Sequence, residues 1–141
     1  MDKLIKLLHE GNYSCVIKNK EISTFTQRGI TDLYDLLNTD PAFLRGAQIA
    51  DKVIGKAAAV LMVLGRVQEV YTDIISEPAL VLLRRANIKL DCMQVVPRIQ
   101  NRNRTGWCPL ETLCYEENSL EILYSIIHAV SYTHLTLPTI R

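Results

Sequence analysis

The chain has 141 residues, with 16 Lys and Arg against 15 Asp and Glu and 48% hydrophobic residues. That is the length of one domain, and it buries enough surface to fold without a disulfide or metal staple. A formal charge of +1 lacks the basic excess of a dedicated nucleic-acid binder. The 6% aromatic and 22% charged content exclude a disordered or fibrous chain.

The first element is an amphipathic helix over MDKLIKLLHEGN, with Asp2 as N-cap and Gly11 as the stop. Lys6 interrupts its apolar residues and no cleavage site follows, so it does not read as a signal peptide. The longest apolar run, Ala57–Leu64, is far short of the ~20 residues of a membrane span. These features predict a cytoplasmic protein with no membrane contact. The four cysteines, Cys15, Cys92, Cys108 and Cys114, form no C-x-x-C pair and are expected to be free thiols.

Tyr13–Lys18 and Glu21–Thr26 predict a β-hairpin about an Asn19-Lys20 turn. Thr31–Leu37 predicts a short helix capped by Thr31, and Asp40-Pro41 opens another that ends at Gly46. Ile49–Leu64, Ala-rich and closed by Gly65, predicts one long helix. A strand within Val67–Ile75 follows. Ser76-Glu77-Pro78 then starts a helix over Ala79–Ala86, through a hydroxyl cap, an acid in the first turn and an early proline. Ile88–Val96 is the next strand, and Pro97 to Trp107 a polar loop. Pro109–Cys114 makes a helical turn, and Leu120–Ala129 a final helix. A hairpin followed by β-α-β predicts an α/β domain: one mixed sheet with helices on its faces.

Residues 130–141, VSYTHLTLPTIR, leave the last helix without a stop signal and turn Thr-rich. They resemble translated sequencing-adaptor read-through. The expectation is a single domain over residues 1–129, truncated at its C-terminus, followed by a non-native tail.

Three segments carry candidate chemistry. On the predicted long helix, Gln48, Lys52 and Lys56 share one face beside Asp51, with Gly55 allowing close approach. They line an anion or nucleotide pocket, or form an ordinary solvated face. Ser76 and Glu77 lie between a strand and a helix, where open α/β sheets bind ligands. The plain alternative is a capping motif. The third segment, NRNRTGWCPLE, holds Asn101, Arg102, Thr105, Gly106 and Cys108. Arg102 suits phosphate or carboxylate, Gly106 permits close backbone approach, and Cys108 precedes Pro109 at a candidate helix start. From Arg84 to Arg104 there are six basic residues and one acid; from Thr105 to Ala129 there are four acids and no Lys or Arg. The first stretch thus carries a local +5 and the second a local −4, and the loop's simpler role is to pair with those acids.

The segments EGNYSCVI, RGITDLYDLL, ADKVIGKAAAVLMVLG, VYTDIISEPAL and NRNRTGWCPLE together resemble a small prokaryotic family of unknown function with a cytidine deaminase-like fold. The resemblance spans residues 3 to 127. It implies a three-layer α/β/α domain whose sheet combines a hairpin with parallel strands. Zinc deaminases hold their metal through an H-x-E helix and a P-C-x-x-C helix start. This chain has Ala50-Asp51-Lys52 and Ser76-Glu77-Pro78-Ala79 at the positions matched, so no zinc and no other cofactor is expected. The resemblance places a pocket at Asp51, Lys52, Lys56, Ser76 and Glu77, with the Asn101–Cys108 loop nearby. Arg104 departs from it, standing where an acid or glycine is implied.

Three functions follow as expectations. The first is a zinc-free module binding a small anionic or nucleotide-like ligand through Lys52, Lys56, Arg102 and the helix start at Ser76. The second is a metal-free enzyme using Cys108 or the Asp51/Lys52 pair. The third is a structural protein acting as a homodimer.

Overall fold

A computed structural model of the chain describes residues 1–26, 30–97 and 119–136. It gives helix α1 (Asp2–Glu10), strands β1 (Cys15–Asn19) and β2 (Glu21–Phe25), helices α2 (Thr31–Thr39) and α3 (Pro41–Leu44), then β3 (Gln48–Ile54) and α4 (Lys56–Leu64). Strand β4 (Glu69–Ser76), helix α5 (Glu77–Arg85), strand β5 (Lys89–Val96) and helix α6 (Leu120–Thr136) complete it. The predicted loop beyond Pro97 and the turn at Pro109–Cys114 lie outside the described residues.

The strands form one mixed sheet in the order β2-β1-β3-β4-β5. β1 pairs antiparallel with both β2 and β3, while β3, β4 and β5 run parallel. The hairpin is symmetric about Lys20, with Asn19 opposite Glu21 and Lys20 in the left-handed region at φ 67°. Asn19 fixes the hairpin to α3: its amide donates to the carbonyls of Ala42, Phe43 and Arg45 at 3.2, 2.8 and 3.0 Å. Those bonds satisfy carbonyls that a helix end leaves open.

Helices cover both faces. On one face, Leu4 and Leu8 of α1 pack on Val16, Ala50 and Tyr71. On the other, Ile17, Ile49 and Val70 of the sheet meet Leu33 and Tyr34 of α2, Leu44 of α3, Ala57 to Met62 of α4, Ala79 and Leu83 of α5, and Leu123 and Ile127 of α6. Burial of this larger apolar cluster is the main source of stability. Tyr34, Tyr124 and His128 stack between α2 and α6, and the Tyr34 hydroxyl hydrogen-bonds His128 Nδ1.

The predicted helix over Ile49–Leu64 is instead a strand and a helix joined at Gly55. The apolar residues Ile49, Ala50, Val53 and Ile54 satisfy a helical period, but Ile49, Ala50 and Ile54, all fully buried, also suit a central strand covered on both sides. Pairing with β1 and β4 decides for the strand. Gln48, Lys52 and Lys56 therefore do not share a helix face. Two caps also differ: Met1 rather than Asp2 precedes α1, and Ile30 rather than Thr31 precedes α2. The final helix continues past Ala129 to Thr136, no proline or glycine intervening before Pro138.

The central strands change phase once. Ile49 and Ile54 are five residues apart yet join the same core cluster, as do Val70 and Ile75. Strict alternation would place each pair on opposite faces. Between them, Val53 N–H donates to Asp51 Oδ1 at 3.3 Å and the Thr72 hydroxyl donates to the Ile74 carbonyl at 2.9 Å. Such local side-chain bonds give the backbone an alternative to the regular pleat.

Candidate functional site

Strands β3 and β4 are adjacent and parallel, so the helices that follow them start at the same end of the sheet. α4 begins at Lys56 after Gly55, and α5 begins at Glu77 after Ser76. The two helices pack side by side. Helix starts expose backbone N–H groups and the positive end of the helix dipole. Their placement at the carboxyl ends of parallel strands is where open α/β sheets bind ligands.

Two polar side chains are buried at these starts. Lys56 is 3% exposed and Ser76 fully buried. Ser76 is the N-cap of α5, its hydroxyl accepting from Ala79 N–H at 3.4 Å. That confirms the hydroxyl cap predicted from Ser76-Glu77-Pro78. Lys56 and Ser76 each have further partners within the chain. An ammonium buried at the positive end of a helix is costly unless negative charge or strong acceptors stand by it.

The other residues singled out in the sequence fall elsewhere. Glu77 is exposed. Asp51 and Lys52, adjacent in β3, turn to opposite faces. The Lys52 ammonium donates to Asn12 Oδ1 at 2.9 Å, just beyond α1. Asp51 lies opposite Cys15, a residue of the larger core. Asn101, Arg102, Thr105, Gly106 and Cys108 lie outside the described residues. The geometry thus sets Lys56 and Ser76 at neighbouring helix starts, while the Lys52 ammonium is bound to Asn12 and Asp51 lies opposite Cys15.

A second polar group escapes sequence reading. Register places Phe25, Cys15, Asp51, Thr72 and Cys92 in one lateral row across all five strands. Cys15 is buried and Asp51 half-buried. Burial, and the charges of Asp51 and Asp32, push the Cys15 thiol well above its usual range. A thiol so raised is a poor nucleophile. Burial pushes Asp51 up to about 7, against backbone hydrogen bonds from Val53 and Lys52 and one from Cys15, while the nearby Asp73 charge adds to the rise. No local motif marks Cys15, because its partners arrive through sheet pairing.

A third group sits on the α1 face. The Tyr71 hydroxyl donates to Asp73 Oδ1 at 2.6 Å, and His9 Nε2 lies 2.8 Å from the same oxygen. Burial first, then its bond to Asp73, pushes the Tyr71 phenol up to about 12. His9 and Asp73 are partly exposed, and the contact ties α1 to β4.

Among the described residues no cluster of three or more His, Cys, Asp or Glu could hold a metal ion. Among them, too, no helix is long and apolar enough to cross a membrane.

No curated protein matches the chain. A crystal structure of a DUF1893 family protein, TM1506, from Thermotoga maritima is similar over 91% of this chain and 87% of that one, with a TM-score of 0.83 and 21% identity. At that identity the likeness concerns the fold. The family model described as TM1506, domain of unknown function (DUF1893), matches residues 3–130. Nearly the whole described fold lies within that match, and the chain belongs to the DUF1893 family.

Proposed function

We propose that this domain binds a small anionic, nucleotide-like ligand, without zinc, where the starts of α4 and α5 meet. The observation that carries this reading is the burial of Lys56 at the α4 N-terminus, beside the buried Ser76 that caps α5. Two helix starts lie side by side, with a buried lysine as the first residue of α4, and a phosphate or carboxylate is the complementary charge. Lys56 already has a partner in the chain, so an incoming anion joins that polar cluster or displaces one of its members.

The strand order, with an antiparallel hairpin edge, three parallel strands and paired helices after β3 and β4, supports a place among the cytidine deaminase-like folds. The residues at the helix starts do not fit a zinc ion. They read Gly55-Lys56-Ala57-Ala58 and Ser76-Glu77-Pro78-Ala79, with no His or Cys. An ammonium in that position recruits the ligand's anionic group in place of a metal-bound oxygen. The separation of Asp51 from Lys52 leaves that pair without the geometry for joint acid–base work.

Thermal denaturation with nucleoside monophosphates, dinucleotides and inorganic phosphate tests the reading. The expected result is a rise in Tm with at least one of them, lost in Lys56→Met, which keeps the side-chain volume and removes the charge. No rise with any of these anions, or an equal rise in Lys56→Met, contradicts it.

A further inference from the structure

β5 is an edge strand of eight residues, bound in parallel to β4 on its inner side. Among the described residues no strand pairs with its outer side. A free edge of that length is a template for another strand.

The core beneath this edge is incompletely covered. Leu90 and Cys92 pack against the larger cluster but are only partly buried, whereas Val70 and Thr72, their neighbours in β4, are fully buried. Lys89 and Asp91 alternate with them and take the opposite face, where both are exposed. The Lys89 side chain is 81% exposed, with its ammonium 3.7 Å from Glu69. On that face α1 packs on β1 and β3, well inside the edge. Burial alternates from Lys89 to Met93 and breaks at Gln94. An added strand therefore matches β5 face for face only along its first half.

Charge selects the added strand. Lysine on an edge strand ordinarily keeps copies apart. Here an acid stands two residues further on the same face, and that pattern is self-complementary in one antiparallel register. With Leu90 on a two-fold axis, Lys89 faces Asp91 of the second copy, and Asp91 faces its Lys89. Leu90 then meets its own counterpart, and Ile88 meets Cys92 of the second copy. The charged pairs lie on the α1 side, and Ile88, Leu90 and Cys92 lie on the side of the larger core.

We propose that β5 pairs with β5 of a second copy of this chain in that register, joining the five strands of each into one continuous sheet. The contact covers the exposed parts of Leu90 and Cys92 and closes two Lys–Asp pairs. The matched ladder is short, so the dimer is concentration-dependent. This inference is independent of the anion site at Lys56.

Sedimentation of the full chain at low salt, at concentrations up to about 1 mM, tests it. Wild-type protein should pass from monomer to dimer within that range. Asp91→Lys and Lys89→Asp, both at exposed positions, should each weaken self-association at least about tenfold by setting like charges opposite one another. The double variant Lys89→Asp/Asp91→Lys restores opposite charges in the same register and should dimerise again. Circular dichroism confirms that each variant is folded. A wild type that stays monomeric throughout, single variants that dimerise as well as the wild type, or a double variant no better than the singles overturns the proposal.

Discussion

Cys15 and Asp51 stand directly opposite one another across the antiparallel β1–β3 seam. The pair joins the N-terminal hairpin to the parallel half of the sheet, at the level where the central strands change phase.

That relationship makes stability depend on pH. Burial, with Asp73 adding to it, pushes Asp51 up to about 7, against roughly 3.9 in an unfolded chain. The folded state therefore holds the proton more tightly. Its contribution is complete below the unfolded value and is lost as pH rises toward the folded one. Denaturant midpoints of the wild type should fall from about pH 5 to about pH 8, and Asp51→Asn should remove the Asp51 part of that fall. At the upper pH the variant should be more stable by about 1–3 kcal/mol. A fall of equal size in both proteins contradicts the assignment to Asp51.

Gly65 is required by close approach to Leu44. A Cβ at Gly65 would lie 2.9 Å from Leu44 Cδ1, 3.0 Å from Leu44 Cβ and 3.2 Å from the Leu61 carbonyl oxygen. Gly65→Ala should cost about 1–3 kcal/mol through overpacking. The Leu44→Ala background should reduce that cost, since most of the clash disappears. Urea titrations of the two single variants and the double variant measure the coupling, and strictly additive costs would place the strain elsewhere.

Asp73 holds α1 through His9 and satisfies the buried Tyr71 hydroxyl. The His9–Asp73 pair is 46% and 29% exposed, so its own contribution is below about 1 kcal/mol. Asp73→Ala should nonetheless cost about 1–3 kcal/mol, because it strands a buried donor. Tyr71→Phe added to Asp73→Ala should recover part of that loss. A double variant no more stable than Asp73→Ala would show that the hydroxyl finds another partner.

The sequence reading located the hairpin, the Ser76 cap, the stop at Gly65 and the β-α-β order, because each has a local chemical signature. It misplaced β3 because Ile49, Ala50 and Ile54 fit a helix as well as a doubly covered strand. Only pairing with β1 and β4 separates the two. The same misreading put Lys52 beside Lys56; the turn at Gly55 carries Lys56 to a helix start and leaves Lys52 near Asn12. Cys15 went unmarked because its partners Asp51 and Asp32 are assembled by strand pairing and helix packing, which leave no spacing to read.

The proposed ligand is a small anion held at Lys56, where α4 and α5 start. Native mass spectrometry of the freshly purified full chain, compared with Lys56→Met, tests it most directly. The expected result is a discrete anionic small molecule released from the wild type on unfolding and absent from a folded Lys56→Met. Wild-type protein that carries no such molecule and takes up none of the added nucleotides or phosphate, or a variant that carries it equally, contradicts an anion site at Lys56.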